Sequence, residues 1–416
     1  MARISPLLAH HIAAGARLLP YGPADSGIEL VESFAPFGLE YAALRTTAAM
    51  LDTPSRGIVR LAGADRIAFL QRMITGDMRG LNAWNSRRAF WLNRKGRIDA
   101  DLLVIESASD QLSELGSSQS TLLELDAHAV TRAVETLGAF VIADDVTFDD
   151  LTETTHQLQI HGPASLAIVA QRASAIAGPA VLELADGQAC SVHISTDRGA
   201  IPATIIRQDL TGDPGLSIFC AAAAASAVYE ALSELPPSPT SPGGALQPRP
   251  DSQPRLARRI GWHAFNVARI EAGTPLYNID FGPTSLPHET GDEVLGSRVS
   301  FTKGCYLGQE VVARMNALGK PKQRLVGLDL LESASNPDAQ PSTGSLVFSS
   351  DDVNIPPVGA ITSSGVSPML GGRIVCFAMV KSANASPGAD LFVQPSPGVP
   401  VAPAKVRERL RSWSRP

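Results

Sequence analysis

The chain is predicted to fold as an α+β body followed by a small all-β barrel, and three observations carry that prediction. Strand-like and helix-like spacings alternate up to residue 235, a stretch dense in Pro, Ser and Gly interrupts them at 236–254, and beyond Arg324 only short strand candidates remain. The 416 residues exceed what one hydrophobic core serves, so two or three structural units are expected. A hydrophobic fraction of 44% and a charged fraction of 18% fit a soluble globular chain. The net charge of −6 gives no global pull toward nucleic acid or anionic membrane. A local basic patch would be needed for RNA, and the short cluster Arg255, Arg258 and Arg259 reads as a solvated linker edge.

Within the body, residues 42–50 have helical spacing and residues 57–61 alternate as a strand. Asp65 precedes Ile67, Phe69, Leu70 and Met73, an acid placed to accept from the free amides of a helix start. Residues 89–92 and 98–105 flank a turn at 93–96, a β-hairpin layout in which Gly96 supplies positive φ. A strand at 121–125, a helix at 127–137 and a strand at 146–148 follow. Residues 158–164 read as a strand running into a helix, with Pro163 in the first turn, where its missing N–H costs nothing. His161, alone at a strand end, reads as structural or solvent-facing. Residues 221–235 are alanine-rich and interrupted by Ser226, Glu230 and Ser233, an amphipathic helix far short of the ~18–20 apolar residues that span a bilayer. Strand candidates at 325–330, 345–348, 358–361, 374–380 and 389–393 predict the barrel.

The densest chemical signal is Lys303-Gly304-Cys305-Tyr306-Leu307-Gly308-Gln309-Glu310. It sets a thiol among a cation, two glycines and an amide–carboxylate pair. Glycines leave room for a ligand beside the sulfur, and a nearby cation favours the thiolate, the form that attacks and ligates. The plainer reading is a small buried cysteine in a turn. The four cysteines are widely separated and form no C-x-x-C pair, which argues against a zinc knuckle or a cluster cradle, and no resident metal is expected. Reduced thiols are the default for such a chain.

This eight-residue motif resembles the K-G-C-Y-x-G-Q-E signature of the YgfZ family, folate-binding proteins that assist iron–sulfur enzymes and are related to the glycine cleavage T-protein, an aminomethyltransferase. The similarity continues through Val311 to Arg314, with Gly319 and Arg324 following. Residues 268–277 resemble the R-x-E-x-G-x-P-x-Y segment of both relatives, and 358–363 with Ser367-Pro368 resemble the G-x-x-T-S…S-P pattern of the small C-terminal domain. Residues 5–7 and 15–22 resemble the opening of the T-protein domain. The basic N-terminus, with Arg3, His10, His11 and Arg17, is therefore read as part of the fold and the chain as cytoplasmic.

The resemblance implies a T-protein-like folate-binding body over 1–235, a flexible insertion over 236–254, a continuation of the body with the motif over 255–322, and a β-barrel over 323–408. It implies tetrahydrofolate as cofactor, with Glu271 at the pterin and Arg269 and Arg314 as further binding residues. Cys305 and Asp101 are the candidate catalytic groups, supported by Lys303, Gly304, Tyr306, Gly308, Gln309 and Glu310. T-protein relatives carry two adjacent acids after the glycine turn; here Ala100 replaces the first, Asp101 matches the second and Asp99 stands where an apolar residue is usual. Asp99 and Asp101 share one strand face, toward either a pocket or water. The implied function is assembly or repair of iron–sulfur enzymes, tRNA-modifying ones among them, with tetrahydrofolate-dependent aminomethyl transfer as the alternative. The implied partners are folate and iron–sulfur proteins or their assembly machinery, without membrane or direct nucleic-acid contact.

Overall fold

The computed structural model describes residues 3–23, 25–107, 119–234, 256–333 and 339–413. The predicted insertion at 236–254 lies outside them. The chain divides into two compact units, one of residues 1–69, 78–87 and 103–265, the other of residues 70–77, 88–102 and 266–416.

The first unit is built on an eight-stranded sheet whose central strand, Thr155–His161, lies antiparallel between Gly215–Ala221 and Ala49–Asp52. Every residue of the central strand is buried. Side chains alternate across a strand, so this one faces two interiors. Leu158 and Ile160 join Met50, Ile205, Ile218 and Val228 in the larger core, covered by the helices Ser165–Ala170 and Ala225–Leu232. On the opposite face Ala189, Ile206 and Phe219 pack against Ile58, Leu103, Ile105 and Leu122. Those four belong to a second layer, in which Arg56–Ala62 pairs with Ser120–Asp126 and Ser120–Asp126 pairs with residues 103–107.

Local outcomes follow the sequence with instructive shifts. Residues 49–50, given helical spacing, are strand: the helix Phe37–Thr46 stops at the β-branched pair Thr46-Thr47, and pairing with the central strand claims Ala49–Asp52. Asp65 does stand before a helix, Arg66–Met73, but its carboxylate accepts from the amide of Asp145 at 2.9 Å. Asp126 caps the turn Ala127–Ala129 by accepting from His128 N, and the helix Val130–Gly138 follows.

In the second unit six strands close into a barrel around Leu328, Ile361, Cys376, Leu391 and Val406. Five match the strand candidates; the sixth, Ala402–Val406, carries a proline that weakens its sequence signal. It pairs with Asp390–Val393 and, through Leu328↔Val406, with the first strand Gln323–Ser333, which closes the ring and removes both sheet edges. Among the described residues no helix is long and apolar enough to cross a membrane.

Gly162 ends the central strand at φ +121°, and a Cβ there would lie 2.7 Å from Thr47 O and 2.9 Å from Leu44 O. The helix proper starts at Ser165, so Pro163 sits in the turn leading into it. Gly162→Ala is expected to destabilise the first unit by about 1–3 kcal/mol, from backbone strain plus the two close contacts. Urea unfolding of the variant beside wild type measures this.

Candidate functional site

The motif loop of the second unit is held by its buried members and exposes the others. Lys303 is 5% exposed, and its ammonium donates to Ile74 O at 2.7 Å and Gly76 O at 2.6 Å while lying 5.2 Å from the Tyr306 ring centroid. The cation therefore caps two carbonyls that the turn leaves unpaired. Tyr306 is buried, and burial pushes its phenol up to about 12. Gly308, at φ +81°, precedes the helix Gln309–Leu318; a Cβ there would stand 2.9 Å from Asn93 O. The turn at 93–96 meets the same helix, for Gly96 has φ +71° and a Cβ on it would fall 2.7 Å from Val311 Cβ. Gly304, Cys305, Glu310 and Arg314 are exposed, and Gln309 is half-buried. Glu310 sits in the first helical turn, where a negative charge complements the helix dipole.

Cys305 is the exposed thiol among the chain's four cysteines. Burial pushes the thiol of Cys190 up to about 11, that of Cys220 up to about 12, and that of Cys376 up as well. Buried thiols of that kind are inert as nucleophiles and ligands.

Asp99 and Asp101 both point into protein. Asp101 accepts on both oxygens from Arg298, at 2.8 Å from Nε and 3.2 Å from Nη2. Both side chains are less than 10% exposed, and the guanidinium lies 5.7 Å from the Phe90 ring centroid. Asp99 accepts from Asn93 Nδ2 at 2.9 Å, and its carbonyl accepts from the Tyr277 hydroxyl at 2.9 Å. Ala100 is fully buried.

The R-x-E-x-G segment closes the helix Trp262–Glu271, and both of its charged side chains are wholly buried. Arg269 pairs with Asp280 and donates to Ser363 Oγ and Asn266 Oδ1, which ties the helix to the barrel strand Gly359–Ser367. Glu271 accepts from Ser367 Oγ on one carboxylate oxygen, and its carbonyl accepts from Ser412 N and Trp413 N at 2.9 Å. Gly273, at φ +76°, lets the C-terminal segment approach: a Cβ would lie 2.5 Å from Arg411 N. Arg269 and Glu271 thus both have protein partners where the resemblance implies ligand contact.

A second polar constellation, in the first unit, escaped the sequence reading. On the central strand Gln157, Gln159 and His161 share the face opposite Leu158 and Ile160, all at most 5% exposed. Gln159 and Gln208 donate to Ser217 Oγ at 3.4 and 3.1 Å, and His161 Nε2 lies 3.2 Å from Gln159 Oε1. The side-chain amide of Gln157 has neither donor nor acceptor partner among the described residues, and His161 Nδ1 and Ser191 Oγ are also unpaired. Buried polar atoms without partners cost about 1–3 kcal/mol each, so these atoms call for a partner such as an ordered water or a ligand. The visible signal was the alternation His156-Gln-Leu-Gln-Ile-His161.

On the same strand His156, with His11 and Ser5, converges on Asp52. Its carboxylate lies 2.6 Å from His156 Nε2, 2.8 Å from His11 Nε2 and 2.6 Å from Ser5 Oγ. Burial works to raise the Asp52 carboxyl, but the two imidazoles override it and hold it well below the usual carboxylate range. Among the described residues no group of three or more His, Cys, Asp or Glu is arranged to hold a metal ion.

An α+β body and a closed six-stranded barrel, with charged residues buried at the junction of helix and barrel in the second unit, define a class of two-part proteins to which the comparisons give a family. The model of the GCVT N-terminal domain matches residues 7–239, and that of the glycine cleavage T-protein C-terminal barrel domain matches residues 323–410. The chain belongs to the glycine cleavage T-protein family. It is 27% identical over 395 residues to a protein of Geobacillus kaustophilus named aminomethyltransferase, covering 94% of each chain. A Bacillus cytotoxicus protein of the same name is 26% identical, over 88% of this chain and 87% of that one. The crystal structure of glycine cleavage system aminomethyltransferase T from Bartonella henselae has the same fold, with a TM-score of 0.74 at 19% identity over 98% of each chain.

His161 gives the site a pH signature. Burial, with Arg45 adding to it, pushes the imidazole down to about 3, so the folded chain keeps it neutral while the unfolded chain protonates near 6.5. Below 6.5 the unfolded state binds the extra proton, and stability falls with pH until the folded-state value is reached. Between pH 7.5 and 5 this single group removes about 2 kcal/mol. Denaturant titrations at the two pH values should show a loss smaller by about that amount in His161→Gln.

Proposed function

We propose that the chain binds a tetrahydrofolate-type ligand and assists iron–sulfur enzymes through Cys305, as its resemblance to the YgfZ family implies. The observation that carries this reading is the contrast between Asp101 and Cys305. Both Asp101 oxygens are engaged by a buried guanidinium and Ala100 stands beside it, whereas the Cys305 thiol faces solvent. A carboxylate held in that way positions neighbours better than it manages a proton.

The unpaired amide on the buried polar face of the first unit matches the hydrogen-bonding edge of a pterin. A pterin edge presents an N–H next to an acceptor, and the Gln157 amide offers an acceptor and a donor side by side, both without protein partners. When bound, tetrahydrofolate would supply nitrogens that accept or carry a one-carbon unit. The chain's own groups would orient the ring through Gln157, with Gln159 and Ser217 beside it. Cys305, on an exposed turn fixed by Lys303 and Tyr306, can ligate iron of a cluster held mainly by a partner, or exchange with a partner's disulfide. A lone cysteine cannot hold a cluster by itself, so the contact is transient.

Titration calorimetry with tetrahydrofolate under reducing, anaerobic conditions separates the two halves of the proposal. Gln157→Leu is expected to bind about tenfold more weakly, and Cys305→Ala like wild type. In cells lacking the protein, Cys305→Ala is expected to leave iron–sulfur enzyme activities low; full restoration by that variant would sink the cysteine half. The names of the curated relatives favour a second reading, tetrahydrofolate-dependent aminomethyl transfer. Ammonia release from an aminomethylated lipoyl carrier, lost in Asp101→Asn, would establish that reading; the expected result is no release beside an active control.

A further inference from the structure

We propose that a groove in the second unit, between the barrel and the C-terminal segment, binds a nucleotide-type ligand with its phosphates on arginines and its organic part on leucines. The groove has a volume of about 650 Å³, within the range of small-molecule sites. Five cations line it, Arg373, Lys405, Arg407, Arg409 and Arg411, against two acids, Asp329 and Glu408. On a chain of net charge −6 this is a local reversal of sign.

Two of the cations are matched internally, Lys405 with Asp390 and Arg407 with Asp329, each at 3.5 Å. The side chains of Arg373 and Arg409 are exposed and make no hydrogen bond or ion pair among the described residues, where Arg411 donates to the carbonyl of Ala272 at 3.2 Å. Among the described residues, three guanidinium groups without a carboxylate partner thus line one groove, and an anion bound there would meet several cationic donors at once.

The arginines are not on a loose tail. Cations occupy every second position from Lys405 to Arg411, while the intervening Val406 and Leu410 are 2% and 5% exposed and anchor the segment. The backbone beyond is held by Glu271, whose carbonyl accepts from Ser412 N and Trp413 N. Little ordering is left to occur on binding. Guanidinium forks match phosphate oxygens two at a time, which favours phosphate over a diffuse counter-ion cloud. Leu331, 63% exposed, and the half-buried Leu370 line the same groove and offer apolar surface to a base or sugar. The same chemistry is presented by a free nucleoside polyphosphate and by a short stretch of RNA.

Calorimetric titrations of the full chain with ATP, a short single-stranded RNA and hexaglutamate, at low and high salt, test the proposal. Expected are binding of ATP, RNA or both that weakens with salt, little affinity for hexaglutamate, and a loss of about tenfold in Arg373→Ser/Arg409→Ser. Both substituted side chains are exposed and unpartnered among the described residues, and circular dichroism should show the fold unchanged. Tighter binding of ATP assigns the groove to free nucleotides, and tighter binding of RNA assigns it to a chain. Absence of binding by both at low salt, equal affinity for hexaglutamate, or an unaffected double variant would overturn it.

Discussion

Burial of both faces of one strand is the constraint on which the first unit depends. Thr155–His161 lies inside an eight-stranded sheet and turns Leu158 and Ile160 to one interior. A sheet with two covered faces is expected to be apolar throughout. Here the other face carries Thr155, Gln157, Gln159 and His161, so four polar groups must find partners out of water or go without. Gln159 and His161 meet each other, and Gln159 also reaches Ser217. The Gln157 amide does not find one, and its desolvation is tolerated because the surrounding cores and the Asp52 hub of Ser5, His11 and His156 over-determine where the strand lies.

The second unit solves the same problem with charge. Arg269, Arg298 and Lys303 are all less than 10% exposed, and each has anionic or carbonyl partners within hydrogen-bonding distance. Removing one member of such a buried pair strands the other, at a cost of about 3–5 kcal/mol, which is why these cations fix geometry so firmly. Arg269 binds helix to barrel, Arg298 fixes Asp101, and Lys303 fixes the turn that bears Cys305. The motif at 303–310 therefore mixes two kinds of residue. Lys303 and Tyr306 are buried and build the platform, and Gly304, Cys305 and Glu310 stand exposed on it.

Much of the fold was legible in the residues, because periodicity and turn chemistry are local. The hairpin around Gly96, the strand into Gly162, and five of the six barrel strands all announce themselves within a dozen residues. Ala402–Val406 was hidden by Pro403, and Ala49–Asp52 by helical spacing that long-range pairing overrides. The site was less legible for a different reason. Asp101 and Arg298 are 197 positions apart, and nothing near either names the other. Gln157 and Gln159 are neutral and common, so their alternation with Leu158 and Ile160 drew no chemical reading. Only a two-sided interior makes such residues conspicuous.

Fold and family thus leave the chemistry open, and the buried charges narrow it. A T-protein fold brings a carboxylate strand and a barrel, but what a carboxylate can do depends on its remaining lone pairs. Arg298 takes one lone pair on each oxygen of Asp101 and fixes the orientation of the carboxylate. The thiols sort in the same way. Cys190, Cys220 and Cys376 sit in apolar cores where burial opposes the thiolate, while Cys305 stands outside on a turn pinned from beneath by Lys303. With three thiols buried, Cys305 is the one that solvent reaches, and thiolate chemistry requires both access and a surrounding that does not oppose the charge.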